Sequence, residues 1–106
     1  MSSSKDFLDF VLLQLADLEQ ISYRAMMGEY VIYYRGKVVG GIFDNRFLIK
    51  PTKTAITMMP DASLEIPYPG AKEMLLMDVD DQVLMMDVIK AIYDELPVTK
   101  KKRKTE

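Results

Sequence analysis

The sequence predicts a two-layer α+β domain: an antiparallel sheet of about four to five strands, with long helices at the N- and C-terminal ends. Three observations lead there. The opening and closing segments carry apolar residues at helical spacing. The middle is β-branched, aromatic and cut by tight turn signals. A chain of 106 residues, 49% of them hydrophobic, can enclose one core but not a second.

Residues 4–19 read as the first helix. Ser3 or Ser4 can cap it, and Asp6 suits the positive end of the helix dipole. Leu8, Val11, Leu12, Leu15 and Leu18 make one stripe, which Phe7, Phe10 and Leu13 widen beyond a single face. A helix this apolar is expected to touch two things, a sheet below and another helix or subunit beside it.

The run Tyr30-Val31-Ile32-Tyr33-Tyr34-Arg35 suits a pleated surface. Arg35-Gly36-Lys37 turns the chain, and 38–43 returns as a second strand. Gly40-Gly41 inside it signals a bulge or a close backbone approach. Asp44-Asn45 is another turn, followed by a third strand over 46–50, giving an antiparallel meander.

Pro51 stops the meander, and Thr52 or Thr54 caps a short helix through Met59, closed by Pro60. Segment 64–68 is extended but carries Pro67, with Pro69 just beyond, so it belongs at a sheet edge. Segment 72–77 reads as a strand from its context, although its propensity is helical. Residues 80–96 form the second long helix. Asp78, Asp80 and Asp81 supply its cap and first-turn acids; Met85, Val88, Ile89, Ile92 and Leu96 supply its stripe; Pro97 ends it. Residues 1–97 thus make one domain, and 98–106 a basic, disordered tail.

Composition narrows the chemistry. There is no Cys and no His, hence no disulfide framework, thiol nucleophile, imidazole base or usual zinc ligand set. The remaining carboxylates, lysines, tyrosines and hydroxyls form no recognisable nucleophile or acid–base signature, so no catalytic residue, cofactor or metal is expected. Residues 100–106 carry a net +4, which leaves −6 on residues 1–99. An acidic body matches nucleic acid poorly; weak, salt-sensitive association would fall to Lys100, Lys101, Lys102, Arg103 and Lys104. The N-terminus lacks a signal-peptide pattern and no run is long enough to span a membrane, so the cytoplasm is the expected location.

Several clusters have both a chemical and a plain reading. Asp78-Val79-Asp80-Asp81 offers oxygen ligands to a hard cation, but helix capping is the plainer role. Lys50-Pro51-Thr52-Lys53-Thr54 places cations and hydroxyls where a helix begins, either an anion or metabolite site in outline, using Lys50, Lys53 and Arg24, or ordinary capping. Arg24 would meet a partner's carboxylate or its neighbour Glu29. Tyr23, Tyr30, Tyr33 and Tyr34 could stack on bases, although strand alternation turns at least two of them into the core. The nine methionines fill a core or edge an adaptable binding surface.

The stretch from Ser22 to Val38, with Arg24, Met26, Gly28, Glu29 and Gly36, resembles the N-terminal domain of the TfoX/Sxy family. The resemblance continues through Gly41-Ile42-Phe43-Asp44-Asn45-Arg46 to Lys50-Pro51-Thr52, and again in Ile66-Pro67-Tyr68-Pro69-Gly70. It covers about residues 5–97. It implies a secretion-chaperone-like sheet flanked by helices and carries over no catalytic residue. Longer bacterial members are similar to regulators of natural competence, which act on DNA-uptake genes beside a cyclic-AMP receptor protein. The family's C-terminal helical domain has no counterpart in these 106 residues. The expectation is therefore a non-enzymatic regulatory module for protein–protein interaction. It would bind an unidentified protein partner, form a homodimer, or both, with nucleic acid only weak or indirect.

Overall fold

The computed structural model describes residues 3–98. The cationic run at 100–104 lies outside the described residues. Helix α1 (Lys5–Gln14) starts as expected, with the Ser4 hydroxyl accepting from the Phe7 amide at 3.1 Å. It ends earlier than residue 19. From Leu15 the turns tighten, as the amides of Leu15 and Ala16 reach the carbonyls of Leu12 and Leu13, three residues back. Gln20 then takes a positive φ of 61° and throws the chain into a strand. Leu15 is still fully buried and Leu18 packs on the core, so the apolar spacing reported burial correctly but overstated the helix.

Four strands follow as consecutive hairpins: β1 (Ile21–Met26), β2 (Glu29–Tyr34), β3 (Lys37–Phe43) and β4 (Arg46–Ile49). Their two-residue turns are Met27-Gly28, Arg35-Gly36 and Asp44-Asn45. All six residues have positive φ, between 50° and 87°. This is the type I′ geometry that matches strand twist. Helix α2 (Lys53–Met58) is capped by Thr52; then come β5 (Leu64–Glu65), β6 (Met74–Leu76) and α3 (Gln82–Ile92), which tightens into a 3-10 turn over Tyr93–Glu95.

The sheet has six strands in the order β1-β2-β3-β4-β6-β5, every neighbouring pair antiparallel. The α+β class and the meander hold. The sheet is larger than four to five strands, and the terminal helices are shorter than expected. The strand not foreseen is β1. All its residues but Ile21 are exposed, so Ile21-Ser22-Tyr23-Arg24-Ala25-Met26 shows no alternation of buried and solvated positions to read.

The helices pack on one face of the sheet. Leu8 and Val11 from α1, Leu15 just past its end, and Met85, Val88, Ile89 and Ile92 from α3 bury against Ile32, Ile42, Phe47, Ile49 and Leu75. Each fully buried side chain of this kind contributes about 1.5–3 kcal/mol relative to exposure. The register shifts between Ile32 and Tyr33, which face Gly40 and Val38, so Val39 is the extra residue of a bulge in β3. Gly40 beside it is obligatory: a Cβ there would lie 2.0 Å from the Leu48 carbonyl oxygen. Gly41 lies on the opposite face, where an added Cβ would meet the Phe43 ring at 2.6 Å. On that second face Phe43 and Leu48 are also buried, although they stand outside the helix-side core.

Candidate functional site

Two of the hairpin turns, at 27–28 and 44–45, lie at the same end of the sheet, and a network of hydrogen bonds locks them together. The Ser3 hydroxyl donates to the Glu29 carboxylate at 2.5 Å and accepts from the Asn45 amide at 2.9 Å. Glu29 also accepts from the Asp44 amide at 3.2 Å. The Ser3 amide donates to the Gly28 carbonyl, and the Ser4 amide to the Asn45 side chain. The Glu29 carboxylate and the Ser3 hydroxyl thus satisfy the turn amides of Asp44 and Asn45, which have no other partner among the described residues, while the Asn45 side chain satisfies the Ser4 amide.

Beside this knot, residues 66–69 cross the second face of the sheet. Pro67 is buried, and the Tyr68 ring lies 6.0 Å from the Phe43 ring, centroid to centroid. Arg46 fastens the segment. Its guanidinium donates to Glu65 at 2.9 Å, to the Ile66 carbonyl at 3.3 Å and to the Phe43 carbonyl at 3.1 Å. Between this strap and the hairpin tips is a cleft of about 800 Å³. Met26, Met27, Ile66 and Tyr68 line it and are 44–96% exposed. Glu29 and Arg46, its two half-buried charged groups, are already engaged by the fold. Such a cleft can adhere to an apolar side chain, and the one carboxylate in its lining that the fold leaves unengaged among the described residues is that of exposed Asp44.

The residues singled out in the sequence divide between this site and the scaffold. Met26 and Glu29 line the cleft. Gly28 and Gly36 are second residues of type I′ turns, at φ of 87° and 85°, so a turn requirement explains them. Arg24 stands opposite Val31 on exposed β1 and makes no ion pair among the described residues; the expected Arg24–Glu29 pair does not form, because Glu29 serves Ser3 and Asp44 instead.

Lys50 is half-buried at the end of β4, its amide bonded to the Val39 carbonyl. The neighbouring anion position is taken from within. The Glu95 carboxylate accepts from the Thr54 hydroxyl and from the Thr54 amide, the latter at 3.1 Å. Those bonds hold the Glu95 carboxyl below its ordinary pKa, the hydroxyl contributing most, with Thr52 and Lys53 adding to the effect. Lys50, Lys53 and Arg24 are therefore not gathered around an open anion site.

The aspartates cap. Asp81 accepts from the Leu84 amide and Asp78 from the Asp80 amide, and no group of three or more acids able to hold a metal occurs among the described residues. Tyr34 is buried and Tyr30 half-buried, in edge-on contact with Tyr93 and Tyr23 respectively, as strand alternation required. The methionines serve both purposes. Met59, Met77 and Met85 are core; Met26 and Met27 edge the cleft. Lys100, Lys101, Lys102, Arg103 and Lys104 lie outside the described residues. Sequence reasoning about sites passed over Ser3, Phe43, Arg46, Ile66 and Tyr68. Their signal was an aromatic between two prolines, Tyr68, well downstream of the turn dipeptide Asp44-Asn45.

The geometry defines a class: a single-sheet α+β domain whose second face carries an apolar, methionine-edged cleft closed by a proline-flanked strap. The segments that build the cleft belong to one sequence family as well. The chain is a member of the TfoX N-terminal domain family, which it matches over residues 13–94, all six strands included. It is also similar to a Spirochaeta aurantia relative described as an uncharacterized 12.7 kDa protein in the trpE 5′ region. The two are 32% identical over 109 aligned residues, covering 100% of this chain and 95% of the relative. No solved structure matches the chain. No helix among the described residues is long and apolar enough to cross a membrane.

Proposed function

We propose that this protein is a non-enzymatic regulatory domain, acting in the cytoplasm, that grips a protein partner in the cleft between the hairpin tips and the 66–69 strap. One observation carries the reading. Four apolar side chains there are left to solvent while both half-buried charges are saturated inside the fold. Desolvating such a surface is favourable, because it removes apolar area from water while both half-buried charges keep their partners inside the fold. Methionine and tyrosine suit the purpose: the first adapts its shape, the second is a frequent interface anchor. Family membership is consistent with a setting in the control of DNA uptake, where a domain of this kind would act by recruiting another protein.

Site-directed photo-crosslinking tests it. A benzophenone amino acid replacing Met27 or Tyr68 should give the same discrete adduct in the native host, and one replacing exposed Thr57 on α2 should not. Tyr68→Ala should lower that adduct about tenfold or more, the loss typical of an aromatic anchor. Indistinguishable adducts from positions 57 and 68 would refute the assignment.

A further inference from the structure

We infer that β1 is a self-pairing edge through which two copies of the chain join their sheets about a two-fold axis. The inference does not rest on the cleft. It starts from the contrast between the two edges of the sheet. β5 is two residues long and is followed by Pro67 and Pro69. β1 is six residues long, without proline, glycine or bulge, and only Arg24 in it is charged. Sheets are normally blunted at their edges by shortness, proline, charge or a bulge. One edge is blunted and the other is not.

The outward-pointing backbone groups of β1 follow from its register. A two-residue turn makes Met26 and Glu29 a hydrogen-bonded pair, so Arg24–Val31 and Ser22–Tyr33 are also bonded. The Arg35 amide donating to the Gln20 carbonyl at 3.0 Å continues the same parity. Ile21, Tyr23 and Ala25 therefore aim their N–H and C=O groups away from β2, and no described residue bonds them.

These three positions are self-complementary. In an antiparallel pairing centred on Tyr23, Tyr23 faces Tyr23 of the second copy and Ile21 faces its Ala25. All three donors and all three acceptors of each strand are then used. Ser22 lies across from Arg24 of the second copy, so each lone cation meets a hydroxyl. Sliding by one pair in one direction sets Arg24 against Arg24; sliding in the other leaves one residue of each strand unpaired. Charge and hydrogen bonding select the same register. A groove of about 510 Å³ between the end of α1 and β1, lined by Leu12, Ala16, Leu18 and Ile21, opens along this edge and adds apolar surface that a second sheet would cover.

The full chain allows a direct test. It contains no cysteine, so Tyr23→Cys introduces a single thiol. Directly paired residues hold their Cα atoms about 5.5 Å apart, within the roughly 4.4–6.8 Å that a disulfide spans. Mild oxidation should convert Tyr23→Cys into a covalent dimer, whereas Thr57→Cys should form no crosslink. In sedimentation equilibrium the parent should dimerise; Ser22→Glu should tighten the dimer about three- to tenfold, and Ser22→Lys should weaken it by a similar factor. Position 22 is solvent-exposed in the isolated chain, so both variants fold. A chain monomeric at every concentration would overturn the inference. So would a dimer indifferent to both Ser22 substitutions and not captured through position 23.

Discussion

Gly40→Ala should damage this fold more than any other single added methyl group at a glycine, and the size of the loss can be worked from the structure. The new Cβ would lie 2.0 Å from the Leu48 carbonyl oxygen and 3.0 Å from the Ile49 Cα. Both contacts are backbone, so no side chain can rotate away. Relieving the first requires β3 and β4 to part by at least ~1 Å, which stretches a ladder N···O distance from ~2.9 Å to ~3.9 Å, past the hydrogen-bonding range. Two ladder bonds weakened in this way cost about 1–3 kcal/mol together, and the displaced core, with Ile49 and Ile42 on either side, about as much again. We expect a loss of ~3–5 kcal/mol, a large part of the ~5–15 kcal/mol that domains of this size possess. Urea unfolding followed by circular dichroism measures it, as a lower midpoint with an unchanged slope. A loss below ~1 kcal/mol would refute the account of the bulge, as would Gly36→Ala, which meets no atom within 4 Å, proving equally harmful.

Two other perturbations test the strap and the Glu95 lock. Arg46→Ala removes the bonds to Glu65, Ile66 and Phe43 and should cost about 1–2 kcal/mol at this half-exposed position. Amide exchange at Ala71, whose N–H bonds the Tyr68 carbonyl at 3.0 Å, should quicken about tenfold or more while Ile89 changes little, and equal acceleration at both would show that Arg46 has no local role. The Glu95 carboxyl is more acidic folded than unfolded because Thr54 bonds its ionised form, so its stabilising effect is complete at neutral pH and fades as pH falls through the depressed pKa. The melting temperature of Glu95→Gln should thus lie below the parent's at pH 7, the gap closing in acid; curves that coincide at every pH would remove the lock.

The amino-acid pattern revealed most where local chemistry and burial agree. Asp81, Thr52 and Ser4 cap the helices assigned to them. Asp44-Asn45 and Arg35-Gly36 turn where turn residues stand, and the α3 stripe is buried at Met85, Val88, Ile89 and Ile92. It revealed least where a residue's role depends on distant chain. Ile21–Met26 hides because an open edge buries almost nothing. Leu15 and Leu18 mimic a continuing helix because a tightened turn also points them inward. The cleft joins positions 26–29, 43–46 and 66–69, and no periodicity links those three segments. Glu95 occupying the Thr54 site is likewise a contact across 41 residues, invisible in any local window.

The tether at Ser3 has a practical side. Its amide and hydroxyl are pinned to Gly28, Glu29 and Asn45, so the described chain begins at a point fixed beside the hairpin tips that border the cleft. A purification handle or fluorescent fusion attached there would crowd the surface under study and could mimic a loss of binding. Labels belong on the far side, near Arg35 and Tyr93, where the guanidinium lies over the tyrosine ring at the other end of the sheet.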